Sequence, residues 1–252
     1  MRDDNRLLAP QLLAAALALQ AAPAAAAGLG PVRRILRIRD RLDDRGAVAL
    51  TFDDGPHPEG TPAVLEWLDR HGLRATFFLV GEQVARRPKL AAEIVMAGHE
   101  AAIHCQLHRN LLRLGPRRAR DDLLRAEATI SEAVDATPLR HRPPYGYYTS
   151  SSLILVRKHG LEPVLWARDG RDWEARATPE SIARRLGRRL RGGEVLLLHD
   201  SDAYSAEGSW RRTVGALPLL LERLEERGLR VAPLDRLPPP NIDRRGRART
   251  RA

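Results

Sequence analysis

Asp53 and Asp54 stand side by side in Thr51-Phe52-Asp53-Asp54-Gly55-Pro56, directly after the apolar run Ala47 to Phe52. The run reads as a short buried strand, and Gly55-Pro56 as a turn. Adjacent carboxylates repel when both are charged, so the pair suits solvent or a bound cation. Asp-Asp-Gly-Pro is also ordinary turn chemistry, and the pair alone does not separate the two readings. Further along come His104 and His108, then Arg142, Asp172, and His199 beside Asp200. His104 and His108 are spaced so that a helical turn would put both imidazoles on one side. With one carboxylate of the Asp pair they make a two-histidine, one-carboxylate set. Such a set suits zinc or another first-row divalent ion with positions left open for water. His57, His71, His141 and His159 read as solvated surface histidines, and His99, beside Gly98, as packed in a turn.

These groups need a frame that gathers distant segments. After residue 45, short β-like runs alternate with helical stretches. Candidate strands are 47–52, 75–79, 100–103, 139–142, 162–166, 194–198 and 230–232. Thr61-Pro62 reads as an N-cap followed by proline at the first helical position, and Gly72, Gly98, Gly160 and Gly228 as helix ends. Thr178-Pro179 opens a helix expected to run to Arg191. The alternation argues for an α/β fold with a parallel sheet or barrel, and seven units favour an incomplete barrel. Asp53 and Asp54 follow the first strand and His104 and His108 the third. Arg142 ends the fourth, Asp172 lies in the loop after the fifth, and His199 follows the sixth. In a parallel barrel those ends share one face, where such enzymes keep their active sites.

The 252 residues, 43% of them hydrophobic, can supply the core of one large domain or two small ones. The reading is an N-terminal apolar segment and linker over 1–45, a catalytic domain over 46–238 closed by Pro238-Pro239-Pro240, and a disordered basic tail over 239–252. The formal net charge of +10 rests on arginine, with Lys89 and Lys158 the only lysines, a skew that base composition can produce. The arginines are scattered, as at 117, 118 and 120 or 184, 185, 188, 189 and 191, and read as solvated helix faces. No helix-turn-helix or Gly-rich phosphate loop supports nucleic-acid binding. Cys105 is the only cysteine, which excludes an intrachain disulfide and a thiolate zinc cluster. Leu7 to Ala27 is apolar, and Ala22 to Ala27 resembles a small-residue cleavage region. Arg2 and Arg6 are offset by Asp3 and Asp4, and Pro10, Gln11, Gln20 and Pro23 argue against a stable span. The balance favours export or membrane-surface association through residues 7–27 over a cytosolic location.

Five segments in order then resemble the motifs of the polysaccharide deacetylases, the carbohydrate esterase group that includes the nodulation chitooligosaccharide deacetylases. They are Thr51 to Pro56, His104-Cys105-Gln106-Leu107-His108, Arg142-Pro143-Pro144-Tyr145-Gly146, Asp169-Gly170-Arg171-Asp172-Trp173 and Leu196-Leu197-Leu198-His199-Asp200. The resemblance covers about residues 47–235. It implies a distorted (β/α) barrel with seven parallel strands and one divalent metal ion, zinc ahead of cobalt or nickel. It implies that Asp53 is the general base and that Asp54, His104 and His108 are the metal ligands. Arg142 would hold the base, the Tyr145 N–H would face the oxyanion, and Asp172 would tune the acid His199. Trp173 and Leu197 would wall the acetyl pocket. The activity implied is metal-dependent hydrolysis of N-acetyl groups on a cell-surface or extracellular glycan, chitooligosaccharide- or peptidoglycan-like.

Two positions depart from the motifs. Cys105 stands where Ser or Thr usually braces the loop, and Arg109 where Pro usually follows the second histidine. Cys105 reads as a weakened brace, an oxidisable thiol beside the metal, or a buried cysteine without a role. Two other activities stay open: an O-acetyl ester or small-amide deacylase of the same fold, and a non-catalytic glycan-binding module. The polar segment Ser201 to Trp210 reads as a loop over the rim that selects substrate, with Tyr204 and Trp210 bordering the cleft.

Overall fold

The computed structural model describes residues 4–234; the expected Pro238–Pro240 boundary and basic tail lie outside them. Among the described residues the strands are β1 Ala47–Asp53, β2 Thr76–Leu79, β3 Glu100–Ile103, β4 Arg140–His141, β5 Glu162–Pro163, β6 Arg168–Asp169, β7 Val195–His199 and β8 Arg230–Val231. The helices are α1 Asp4–Ala21, α2 Gly30–Ile35, α3 Gly60–Arg70, α4 Gly81–Arg86, α5 Pro88–Met96, α6 Pro116–Val134, α7 Ser150–Lys158, α8 Pro179–Gly187 and α9 Ser209–Glu225. Seven parallel strands in the order β5-β4-β3-β2-β1-β7-β6 form a curled half-barrel, and β8 pairs with β1 off that path.

Alternation along the strands sorts side chains into two cores. Val48, Leu50, Phe52, Phe77, Leu79, Ile103, Leu196 and Leu198 face outward, under a helical layer that includes Val64, Ile94, Ile130, Leu186 and Leu220. Ala47, Ala49, Phe78, Ala102 and Val195 fill the interior with Val164 and Leu42. The inner face of β1 therefore reads 47, 49, 51, 53, and its last position delivers Asp53 to the rim.

The differences from the sequence reading have local causes. β6 was not expected as a strand, because Arg168-Asp169 is short and charged, without an apolar pattern; the run 230–232 forms β8 instead of joining the path. Gly72, Gly98, Gly160 and Gly228 do take positive φ at helix ends. The first barrel helix starts two residues early, at Gly60, so Thr61 is inside it and uses its hydroxyl on Asp200. Thr178 caps α8 through a reciprocal box with Ser181, and the helix ends at Gly187 rather than Arg191.

The N-terminal stretch packs onto this frame. Beyond α1 a 3-10 turn over Ala22–Ala27 buries Ala26 completely in the outer core. Gln20 Nε2 donates to Ser151 Oγ at 2.5 Å, and the buried Arg33 pairs with Asp40 at 2.7 Å and donates from Nη1 to the Ala26 carbonyl at 2.8 Å. Arg39 bridges Val164 after β5 and Arg41 bridges Glu194 before β7, so Ile38–Leu42 spans the open side of the half-barrel, whose edge strands are β5 and β6. Leu12, Leu13, Leu17 and Leu19 are exposed, and Pro10–Ala27 is long and apolar enough to cross a membrane, with mean hydropathy 1.3.

Candidate active site

The site is built where β1, β3, β4, β6 and β7 stop. Asp53 Oδ1 accepts from Arg142 Nη1 at 2.6 Å. Arg142 is fully buried, donates also to the Leu165 carbonyl at 3.2 Å, and stacks over Phe78 at 3.9 Å. Burial raises the Asp53 carboxyl, and the Arg142 charge opposes it. The chain then reverses through Asp54, a non-glycine residue at φ +80°. Such a backbone costs on the order of 1–3 kcal/mol and persists only where its surroundings enforce it. It brings the second carboxylate into the same cleft as the first, with Asp53 Oδ2 3.8 Å and Asp54 Oδ1 3.5 Å from His104 Nε2.

His104 leaves β3 with Nδ1 2.8 Å from the Arg142 carbonyl. A carbonyl only accepts, so Nδ1 carries the proton and Nε2 is left with its lone pair. That nitrogen lies 3.5 Å from Asp54 Oδ1, and His108 Nε2 lies 3.3 Å from the same oxygen. The expected helical turn between the two histidines is not there: residues 104–108 form a bend entered through Cys105 at φ +65°. Asp122 of α6 shapes it by accepting from the Gln106 and Leu107 amides at 2.7 and 3.2 Å.

Asp54, His104 and His108 fit a metal ion. Their donor atoms lie within 4.8 Å of one another. Tetrahedral coordination at about 2.1 Å puts neighbouring ligand atoms about 3.4 Å apart, close to the two separations observed. Asp54 Oδ1 is buried without a hydrogen-bond partner, an orphan that a cation would satisfy. Burial pushes the Asp54 carboxyl up to about 7 against the pull of His199, and a bound cation would hold it ionised. Burial, then the His199 charge, lowers His108 to about 4; burial and the His108 charge hold His104 well below its usual range. Both are neutral imidazoles, the form that ligates.

Across the cleft His199 Nδ1 pairs with Asp172 Oδ1 at 2.9 Å. The fully buried Asp172 also takes the His199 amide at 2.7 Å and the Thr213 hydroxyl at 2.8 Å. Burial alone would lower the imidazole, but Asp172, with Asp54 and Asp53, pushes it up to about 10. The arrangement is an ion site flanked by an ionisable carboxylate on one side and a protonated histidine on the other.

Residues 41–164 match the family profile for polysaccharide deacetylases. The chitooligosaccharide deacetylase of Bradyrhizobium sp. (strain ANU 289) is 39% identical over 198 residues, which is 76% of this chain and 90% of that protein. The chain belongs to the polysaccharide deacetylase family. Among solved structures, the family 4 carbohydrate esterase of Streptomyces lividans in complex with acetate is similar at 34% identity and TM-score 0.66, over 74% of this chain and 91% of that one. A family 4 pseudoenzyme of Bacillus anthracis is similar at 27% identity and TM-score 0.68, over 75% of this chain and 64% of that one. The shared fold alone therefore does not establish catalysis, and the side chains carry that argument.

In this polysaccharide deacetylase, a hydrolase, the ten residues named from the sequence fall as follows. Asp53, Asp54, His104, His108, Arg142, Asp172 and His199 converge. Trp173 meets the His199 ring edge-on, centroids 5.4 Å apart, and Leu197 lies on the same strand face as His199, one inward position below it. Tyr145, at φ +62°, meets the His108 ring edge-on, with centroids 4.8 Å apart. Among the reserved residues, His141 is buried, not solvated: Nδ1 lies 3.1 Å from the Tyr148 hydroxyl and Nε2 3.5 Å from Cys105 Sγ. His57 is also partly buried and pairs with Asp202 at 3.1 Å. Cys105 points away from the ion site, and burial with the nearby Asp122 keeps its thiol protonated. Asp122 supplies the loop brace that a motif hydroxyl usually gives, and the charge of exposed Arg109 acts on Asp122. Sequence reasoning missed Asp122 and Thr213, polar residues turned inward on α6 and α9, and it read Thr61 as a helix cap rather than as the partner of Asp200.

Proposed function

We propose that the protein removes N-acetyl groups hydrolytically from a cell-surface or extracellular glycan, chitooligosaccharide- or peptidoglycan-like, with a divalent ion, zinc first, on Asp54, His104 and His108. The observation that carries this reading is Asp54, which faces an orphaned two-histidine site with one oxygen and His199, 3.9 Å away, with the other. When bound, the ion supplies Lewis-acid polarisation of the acetyl carbonyl and lowers the pKa of water.

The remaining steps belong to the chain. Asp53, whose ionised form Arg142 favours against burial, takes the proton of the attacking water. The Tyr145 amide donates to the oxyanion of the tetrahedral intermediate. His199, protonated through Asp172, gives its proton to the departing amine, which leaves poorly without one. Trp173 and Leu197 enclose the acetyl methyl. Export or a membrane-surface position agrees with the apolar stretch 7–27, and the burial of Ala26 supports that stretch being retained.

The test is acetate release from N-acetylglucosamine oligomers by metal-stripped protein, with and without Zn²⁺, Co²⁺ or Ni²⁺. Metal-restored release is expected. Release from O-acetyl xylan or small amides only would replace the glycan amide by the other acyl substrates. Glycan binding without acetate release would leave a non-catalytic binding module.

A further inference from the structure

His104 and His108 are held by different means. The Nδ1–H of His104 has the carbonyl partner that ligating imidazoles ordinarily have. The Nδ1 of His108 is buried and has no hydrogen-bond partner. Its ring instead lies flat on Tyr204, with centroids 4.2 Å and planes 11° apart, while Tyr145 closes the other contact edge-on. Offset and edge contacts of this kind orient a ring as well as bury it.

Tyr204 is itself clamped. Its hydroxyl donates to Glu82 Oε1 at 2.6 Å and accepts from Gln83 Nε2 at 3.1 Å. The orientation of Gln83 is set because its Oε1 takes Arg87 Nη1 at 2.9 Å. Glu82 and Gln83 lie on α4, which is fastened to the histidine loop by Gly81 N–H to the Cys105 carbonyl and Glu82 N–H to the Gln106 carbonyl, 3.0 and 2.9 Å. At its other end the Tyr204 loop is fixed by Asp202, which takes the Gly208 amide at 2.7 Å and faces His57 at 3.1 Å.

We propose that Tyr204 is the positioning residue of His108. Its stacked ring takes the place of the missing hydrogen bond and fixes the imidazole plane so that Nε2 faces Asp54, and Glu82 with Gln83 fixes the ring. This rests on the reading that Asp54, His104 and His108 hold a divalent ion. The loop after His199 thus closes a circuit from the acid to the ion site, a task distinct from substrate selection.

The experiment measures zinc affinity of the stripped full chain against a chromophoric chelator, and the rate of zinc loss to excess EDTA. Changes behind a ligand cost about 10–100-fold in metal affinity; Y204L should fall in that range. Y204F keeps the ring but gives up the hydroxyl that Glu82 and Gln83 hold, so Y204F and E82A should each speed zinc loss by about three- to tenfold, at or below the low end of that same range. The visible Co²⁺ spectrum should change in Y204L and return in Y204F. The Tm of metal-free Y204L should match wild type while its zinc-induced rise shrinks. Wild-type zinc loss in Y204L, or in E82A should Y204L not fold, overturns the proposal alone. Failure of the wild-type chain to bind any divalent ion overturns both it and the site reading beneath it.

Discussion

Asp54 faces His108 with one carboxylate oxygen and His199 with the other, at 3.3 and 3.9 Å. The two imidazoles are similarly buried, with 7% and 11% of their side chains exposed. Yet burial drives one down to about 4, while the other is carried up to about 10. What differs is the far nitrogen. His199 Nδ1 meets the Asp172 carboxylate, and His108 Nδ1 meets nothing. One side of the cleft is thereby fitted to give a proton and the other to give a lone pair. Burial does not decide the charge of a histidine here; the group behind it does.

The strongest way to break this contrast is to remove the carboxylate between the two. D54A should lose metal retention and lower turnover by a factor of at least about 10³, since ion and water activation go together; metal content and acetate release measure it, and unimpaired activity would refute the ligand role. D172N comes next. It should cost about 10²–10³ in kcat, the range of a lost general acid. The sign of its pH effect follows from the raised His199: without the Asp172 charge the imidazole gives up its proton at lower pH. The alkaline limb of kcat/KM should therefore move toward acid, and an unmoved limb would disconnect Asp172 from His199.

His141 sharpens the contrast away from the cleft. It too is buried without a carboxylate, and burial alone pushes it from 6.5 to about 3. It stays neutral in the folded protein while the unfolded chain takes up a proton, so its contribution is lost as pH falls below about 6.5. In metal-free protein the stability gap between wild type and H141Q should shrink by about 1.4 kcal/mol per pH unit between roughly pH 6 and 4. A gap constant with pH in denaturant titrations would show that His141 is protonated in the fold. The smallest effect is expected from T213V, which removes one bond to Asp172 worth about 1 kcal/mol. It should lower kcat severalfold and leave zinc affinity unchanged; a loss of zinc would show that the two sides of the cleft are not separable.

Much of this was legible because the strands carry their own pattern. Val48, Leu50 and Phe52 alternate with Ala47, Ala49 and Thr51, and that alternation sends Asp53 inward at the strand's end. The five motifs, in order, placed the reacting groups on the ends of such strands. Backbone handedness was not legible. Asp54, Cys105 and Tyr145 all take positive φ without being glycine, so the bend between His104 and His108 read as a helical turn. Tertiary burial was not legible either. His141 looks like any surface histidine until Tyr148 and Cys105 surround it, and Asp122 like one more polar residue of an amphipathic helix until it receives two amides from the next loop. β6 carries no pattern because two charged residues at a sheet edge need none.

The seam across the barrel bears on how such a domain can be cut and recombined. The match to the family profile begins at residue 41, but Arg39 holds the Pro163 carbonyl and the Leu165 amide at 2.9 and 2.7 Å, and Ile38 and Ala26 are core residues. A gene fragment starting at the homology boundary would encode a barrel with an unpaired seam beside β5, the kind of edge that recruits other chains. Fusions and domain swaps that begin upstream of Gln20 should yield soluble protein, whereas those that begin at residue 41 should aggregate. The unit that can travel between genes is longer than the unit that is recognisably shared.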